Sequence, residues 1–180
     1  MSLVDYDVVA HVATITLADE TRRNALSEEL LGQLLEAVDE ATRDQDVRVV
    51  VLTNRGTVFC AGANLRERSI DAAPTRPGET MSELFMRIRG SKKIFVGRIA
   101  GHSVAGGVGL AAVTDISIAI DTATFGFSEV RLGVVPAIIS VVCLPKMRLA
   151  DAQQAMLRGQ RFSAEEAARI GLITYSVAGD

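Results

Sequence analysis

Between residues 48 and 53 the chain reads Arg48-Val49-Val50-Val51-Leu52-Thr53, a near-continuous run of branched apolar side chains. Such a run, without alternation, is the pattern of a strand covered on both faces, and strands of that kind belong to parallel sheets with helical crossovers. The flanking sequence supplies the helices. Ser27 begins a helix, Glu28 and Glu29 fall in its first turn, and Leu30, Leu31, Leu34, Leu35, Val38 and Ala41 follow at helical spacing up to near Arg43. Met81, Leu84, Phe85 and Ile88 repeat that spacing up to Gly90. Ile94 to Ala100 and Ile116 to Ile120 return to strand, the second closed by Asp121. With 4% aromatic residues and no Trp, packing falls to Val, Ile, Leu and Ala. The expectation is an α/β fold, and 180 residues suffice for one domain but not two, so residues 1–180 are read as a single unit.

Val8 to Leu17 is β-branched and alternates in its second half, which reads as a strand or hairpin. Asn54 to Ala63 holds Asn54, Gly56 and Gly62 and reads as a site loop, and Ser69 to Glu79 reads as a mobile surface connection. Gly101 to Gly109 is a glycine-rich loop opening a short helix, Leu110 to Val113. In the helical tail, Ser163-Ala164-Glu165-Glu166 matches a reciprocal capping box, with Gly171 as the stop.

Several chemistries can be set aside. The formal charge of −3 lacks the basic balance of a nucleic-acid binder. The two cysteines, Cys60 and Cys143, do not make a disulfide framework, and the N-terminus carries acid where a signal peptide carries base, so a cytoplasmic protein is expected. The most apolar later stretch, Leu132 to Leu144, is too short and too broken by Gly133, Pro136 and Ser140 to span a bilayer. No metal-ligand spacing is present. The glycine loop fails as a P-loop because Gly107 stands where lysine is required, and it matches a dinucleotide fingerprint poorly. Gly101-His102-Ser103-Val104-Ala105 approaches a serine-hydrolase nucleophile elbow. The required histidine does not follow in the chain, however, since the only others on offer are His102 itself and the distant His11.

Two similar junctions remain. One strand leads to Cys60-Ala61-Gly62-Ala63 and another to Ala105-Gly106-Gly107, each with small residues that leave main-chain N–H groups approachable. If they converge they form an oxyanion hole; otherwise the glycines merely allow tight helix–sheet packing. Phe125-Gly126-Phe127-Ser128-Glu129-Val130 adds a carboxylate among apolar neighbours. Burial would fit Glu129 for proton transfer, whereas a solvated pair with Arg131 would make it inert.

These residues in order resemble the crotonase superfamily of enoyl-CoA hydratases and isomerases. The resemblance is carried by Asn24-Ala25-Leu26-Ser27, by Phe59-Cys60-Ala61-Gly62-Ala63-Asn64-Leu65, by Ala105-Gly106-Gly107 with Asp115-Ile116, by Phe125-Gly126, Glu129 and Leu132-Gly133, and by Pro136. It implies a spiral of repeated ββα units. It implies that the N–H groups of Ala63 and Gly106 hold a thioester carbonyl as it becomes an enolate, with Glu129 as general acid/base. Coenzyme A, part of the substrate rather than a separate cofactor, would meet the carbonyls of Ala61 and Ala63 through its adenine. Its phosphates would meet Arg66 and Arg22 or Arg23, with Ala25, Gly62, Asn64, Leu65, Gly107 and Gly109 along the same site.

Two departures matter. Asn64 replaces the family's usual aspartate, and Gly109 stands where hydratases carry a second glutamate. The 128–140 pattern nevertheless favours a hydratase, with a Δ3,Δ2-enoyl-CoA isomerase using Glu129 alone as the alternative and a non-catalytic acyl-CoA binder as a third reading. Superfamily relatives continue past the position of Asp180 with helices that cover the site and build trimers, often paired into hexamers. The resemblance therefore implies a core without those helices, trimeric or hexameric when they are present.

Overall fold

The computed structural model describes residues 2–62 and 81–179. Strands β1 (Val4–Val9) and β2 (Val12–Leu17) form an antiparallel hairpin. Its two turn residues, Ala10 and His11, both adopt left-handed backbone with φ of 48° and 68°, the twist that suits a two-residue hairpin loop. Helix α1 (Glu28–Arg43) begins where expected, with Ser27 Oγ accepting the Leu30 N–H at 3.1 Å. Its apolar stripe is buried, and Leu30, Leu34 and Ala41 are fully enclosed.

Strands β3 (Val49–Asn54), β5 (Ile94–Ile99) and β7 (Ile116–Ile120) continue a six-stranded sheet, completed by β10 (Tyr175–Val177). The order is β1-β2-β3-β5-β7-β10, parallel throughout except for the first hairpin. The expectation that the 48–53 strand is covered equally on both faces needs correction. Val50 and Leu52 are buried, whereas Val49 and Val51 remain half-buried. The buried pair joins the α1 stripe in one core, and the other sheet face keeps Ile94 and Ile116 exposed as well.

A second sheet is built from three-residue strands: β4 (Val58–Cys60), β6 (His102–Val104), β8 (Thr124–Gly126) and β9 (Arg161–Ser163). Three residues are too few for periodicity to register, so β4 and β6 lay hidden in what read as loops. Helix α2 (Met81–Gly90) is clamped to α1 by Arg87, which pairs with Asp39 of α1 and Glu83 of its own helix. Helix α3 (Gly106–Ala112) starts four residues earlier than expected and is entirely buried. Helices α4 (Ala137–Cys143), α5 (Leu149–Arg158) and α6 (Ala164–Arg169) complete the chain.

Only half of the expected capping box forms on α6. Ser163 Oγ accepts the Glu166 N–H, but the Glu166 carboxylate turns to Arg169 instead of reaching back, because a charge-assisted pair outcompetes a bond to a neutral amide. Among the described residues no helix is long and apolar enough to cross a membrane.

Candidate active site

The first junction is built by three segments that tie one another down. Arg23 and Asn24 both take left-handed backbone, with φ of 56° and 51°, which turns the chain back alongside β4. The buried Asn24 amide donates to the carbonyls of Val58 and Arg55 at 2.8 and 3.2 Å. The Ala61 N–H then donates to Arg23 O at 3.1 Å and the Leu26 N–H to Gly62 O at 2.8 Å. Arg22, Arg23 and Ala25 are thereby brought beside Ala61 and Gly62. Arg22 is about half exposed with a long 3.9 Å contact to Asp19, so its guanidinium remains available to solvent. Asn24→Ala should destabilise the fold by about 2–3 kcal/mol, since it orphans buried carbonyls and loses a side chain suited to left-handed backbone. Urea denaturation with an unchanged m-value checks this.

The second junction lies against the first. Ala105, between β6 and α3, has φ 48° and ψ −118°, a conformation costly for a residue with a Cβ. Its N–H donates to Gly126 O at 2.9 Å, anchoring the junction to β8. A Cβ placed on Gly62 would come within 3.2 Å of Gly106 N, and one on Gly106 within 3.5 Å of Gly62 Cα. A Cβ on Gly107 would collide with the carbonyl of Cys60. The two glycine junctions thus lie against each other, and their small residues permit this tight packing. Helix α3 begins its hydrogen bonding with the Val108 N–H to Ala105 O at 2.8 Å. Among the described residues the N–H of Gly106 has no backbone acceptor. Ala63, Asn64, Leu65 and Arg66 lie outside the described residues, as does the segment 69–79.

Glu129 opens a 3-10 turn, Glu129–Leu132, that follows β8 and closes on Gly133 in left-handed backbone with φ 71°. Its Oε2 is buried and, among the described residues, has no hydrogen-bond partner. Burial pushes its carboxyl above the ordinary value, opposed by a hydrogen bond to its own backbone. The inert alternative does not occur: Arg131 Nε donates to the Gly159 carbonyl at 2.7 Å, and among the described residues Glu129 has no cationic partner. Nothing in the local sequence signals that tie, which spans 28 residues. Phe127, just before the turn, is fully buried and stacks on Phe162 of β9 with centroids 6.3 Å apart.

Gly109, on α3, faces two apolar side chains. A Cβ there would meet Ile139 Cγ2 at 2.5 Å and Phe85 Cζ at 2.8 Å. The position is therefore filled by α2 and α4, and a larger side chain requires α4 to move. The serine-hydrolase alternative finds no support. Ser103 Oγ is buried without a partner, and His102 Nδ1 accepts the Thr124 N–H at 3.1 Å. Among the described residues no group of three or more His, Cys, Asp or Glu could hold a metal ion.

The family model described as enoyl-CoA hydratase/isomerase matches residues 7–180. An enoyl-CoA hydratase of Alternaria alternata is 33% identical over 177 residues, covering 97% of this chain and 59% of the relative. The 2,3-dehydroadipyl-CoA hydratase of Escherichia coli is 29% identical over 164 residues, covering 91% and 64%. The chain thus spans about three-fifths of these curated relatives' length. A solved enoyl-CoA hydratase from Mycobacterium avium superposes with TM-score 0.88 at 39% identity, covering 99% of this chain and 71% of that one. The mixed α/β architecture of parallel sheets and helices is that of these crotonase-fold structures, and the chain belongs to the enoyl-CoA hydratase/isomerase family.

Proposed function

We propose that this chain acts on an acyl-CoA thioester as an enoyl-CoA hydratase, with Glu129 as its acid/base. The observation that carries this reading is the half-buried Glu129 carboxyl, raised by burial and, among the described residues, without a cationic partner, on a turn that closes on Gly133. The Gly106 N–H, together with that of Ala63, would hold the thioester oxygen as charge develops, each donor contributing about 3–4 kcal/mol in the transition state. Ionised Glu129 takes a proton from water as the hydroxyl adds to C3, and returns it to C2 of the enolate. Ala61, Gly62, Arg22 and Arg23, with Arg66, form the coenzyme A end, and no other cofactor enters.

A specific observation favours a second reading, the Δ3,Δ2-enoyl-CoA isomerase. With Ile139 and Phe85 packed over Gly109, no carboxylate at that position can hold water, and Glu129 alone would suffice to move a proton from C2 to C4. Crotonyl-CoA and a 3-enoyl-CoA distinguish the two through the conjugated thioester absorbance. A fall with crotonyl-CoA is expected for the hydratase, a rise with the 3-enoyl-CoA identifies the isomerase, and no change with either leaves the acyl-CoA binder.

A cytoplasmic homotrimer or hexamer is part of the same proposal. The exposed Leu132, Val134, Val135 and Val141 beside the Glu129 turn offer apolar surface for such assembly, which sedimentation of the protein tests.

A further inference from the structure

Behind the Glu129 turn, on the side of α5, β9 and α6, lies a cleft of about 150 Å³. Its lining combines the apolar Ala155, Phe162 and Ile170 with charged and amide side chains. The two carboxylates that line it, Asp151 and Glu166, are already engaged: Glu166 takes Arg169 at 2.6 Å, and Asp151 lies 3.6 and 3.7 Å from Arg169 and Arg148. Its two lining arginines are not. Among the described residues Arg158 and Arg161 make no ion pair and no side-chain hydrogen bond, and the amides of Gln154 and Gln160 stand beside them. The charges of the cleft left without an ion pair are therefore positive, on two exposed arginines that line it together with Phe162.

We infer that this cleft is a second binding site, for a small carboxylate with a compact apolar body. The anionic group would bridge Arg158 and Arg161, for which the planar guanidinium fork is suited, and the body would lie on Phe162. At about 150 Å³ the cleft seats a ring or a short chain.

The cleft is mechanically joined to the Glu129 turn. Its wall, Arg158 to Arg161, contains Gly159, whose carbonyl takes the Arg131 guanidinium. A Cβ on Gly159 would come within 2.5 Å of Val130 Cγ1, so the two turns are in direct contact. Phe162 stacks on both Phe125 and Phe127, with ring centroids 6.3 Å apart in each pair. Occupation of the cleft should accordingly steady the turn that holds Glu129.

The test is calorimetric titration of the whole protein with benzoate and, separately, inorganic phosphate. Benzoate should bind in the wild type and in Glu129→Gln, and should bind at least about tenfold more weakly in an Arg158→Gln/Arg161→Gln double variant of unchanged melting temperature. Binding should also slow amide hydrogen exchange at Arg131 and Gly133 about threefold. Retention in Glu129→Gln keeps this result separate from any failure of the acyl-CoA reading. Absence of benzoate binding overturns the inference. So does binding untouched by the double variant, and phosphate binding as tight as benzoate overturns the assignment of an apolar body.

Discussion

Glu129→Gln is expected to lower turnover about a thousandfold while acyl-CoA affinity changes less than about twofold. The amide keeps the shape of the carboxyl but cannot carry the proton, and the contacts proposed for coenzyme A lie at the opposite junction, at Ala61 and Gly62. Folding should not suffer, because the wild-type Oε2 is buried without a partner and its charge is a burden to the native state. The pH dependence has a definite sign. Burial raises the folded carboxyl above its usual 4.5, so between that value and the raised one the native state binds more protons than the unfolded chain. Stability contributed by this group is thus greatest at low pH and declines as pH rises through that window. Catalysis by the ionised form runs the other way, rising across the same window. Single-turnover rates, equilibrium titration of a dead-end acyl-CoA, and melts from pH 4 to 8 check the three parts, and retained turnover in the variant would sink the assignment.

The second large effect is expected at Gly109. Placing an acid on α3 by Gly109→Glu should destabilise the protein by about 3 kcal/mol or more and should not increase hydration of crotonyl-CoA. The cause is the 2.5 and 2.8 Å approach to Ile139 and Phe85, which leaves no room for a side chain and surrounds any carboxylate with hydrocarbon. Ile139→Ala made alone should cost about 2–4 kcal/mol through the cavity it opens. Combined, the two should destabilise by clearly less than their sum, since the cavity receives the new side chain. Urea denaturation of the four proteins gives this coupling directly, and simple additivity would show that Ile139 is not what excludes the glutamate.

Long elements were legible in the chain because periodicity accumulates. The α1 stripe, with its start at Ser27 and its end near Arg43, matches the observed Glu28–Arg43, and the apolar runs read at 48–53, 94–100 and 116–120 became strands of the main sheet. The second sheet was illegible. Its strands hold three residues each, among them Cys60, His102 and Gly126, and are specified by neighbours far along the chain. The site shows the same division. Small residues at 60–62 and 105–107 were visible as junctions, but their convergence depends on β4 pairing with β6. Glu129 was visible as a carboxylate in apolar company, yet its freedom from Arg131 depends on Gly159, which no local pattern connects to it.

Cys60 and Cys143 place a built-in clock inside the molecule. Both are free and enclosed, one at the end of β4 against Gly107 and the other on the last turn of α4, and burial pushes both thiols up to about 12. At neutral pH almost none of either is thiolate, the form that reacts with alkylating reagents. Labelling must therefore wait for the chain to open. Its rate at each sulfur, resolved by mass spectrometry, reads out how often the Cys60 junction parts from Gly107 and how often α4 lifts from the core, so two breathing motions can be timed without introducing a foreign probe.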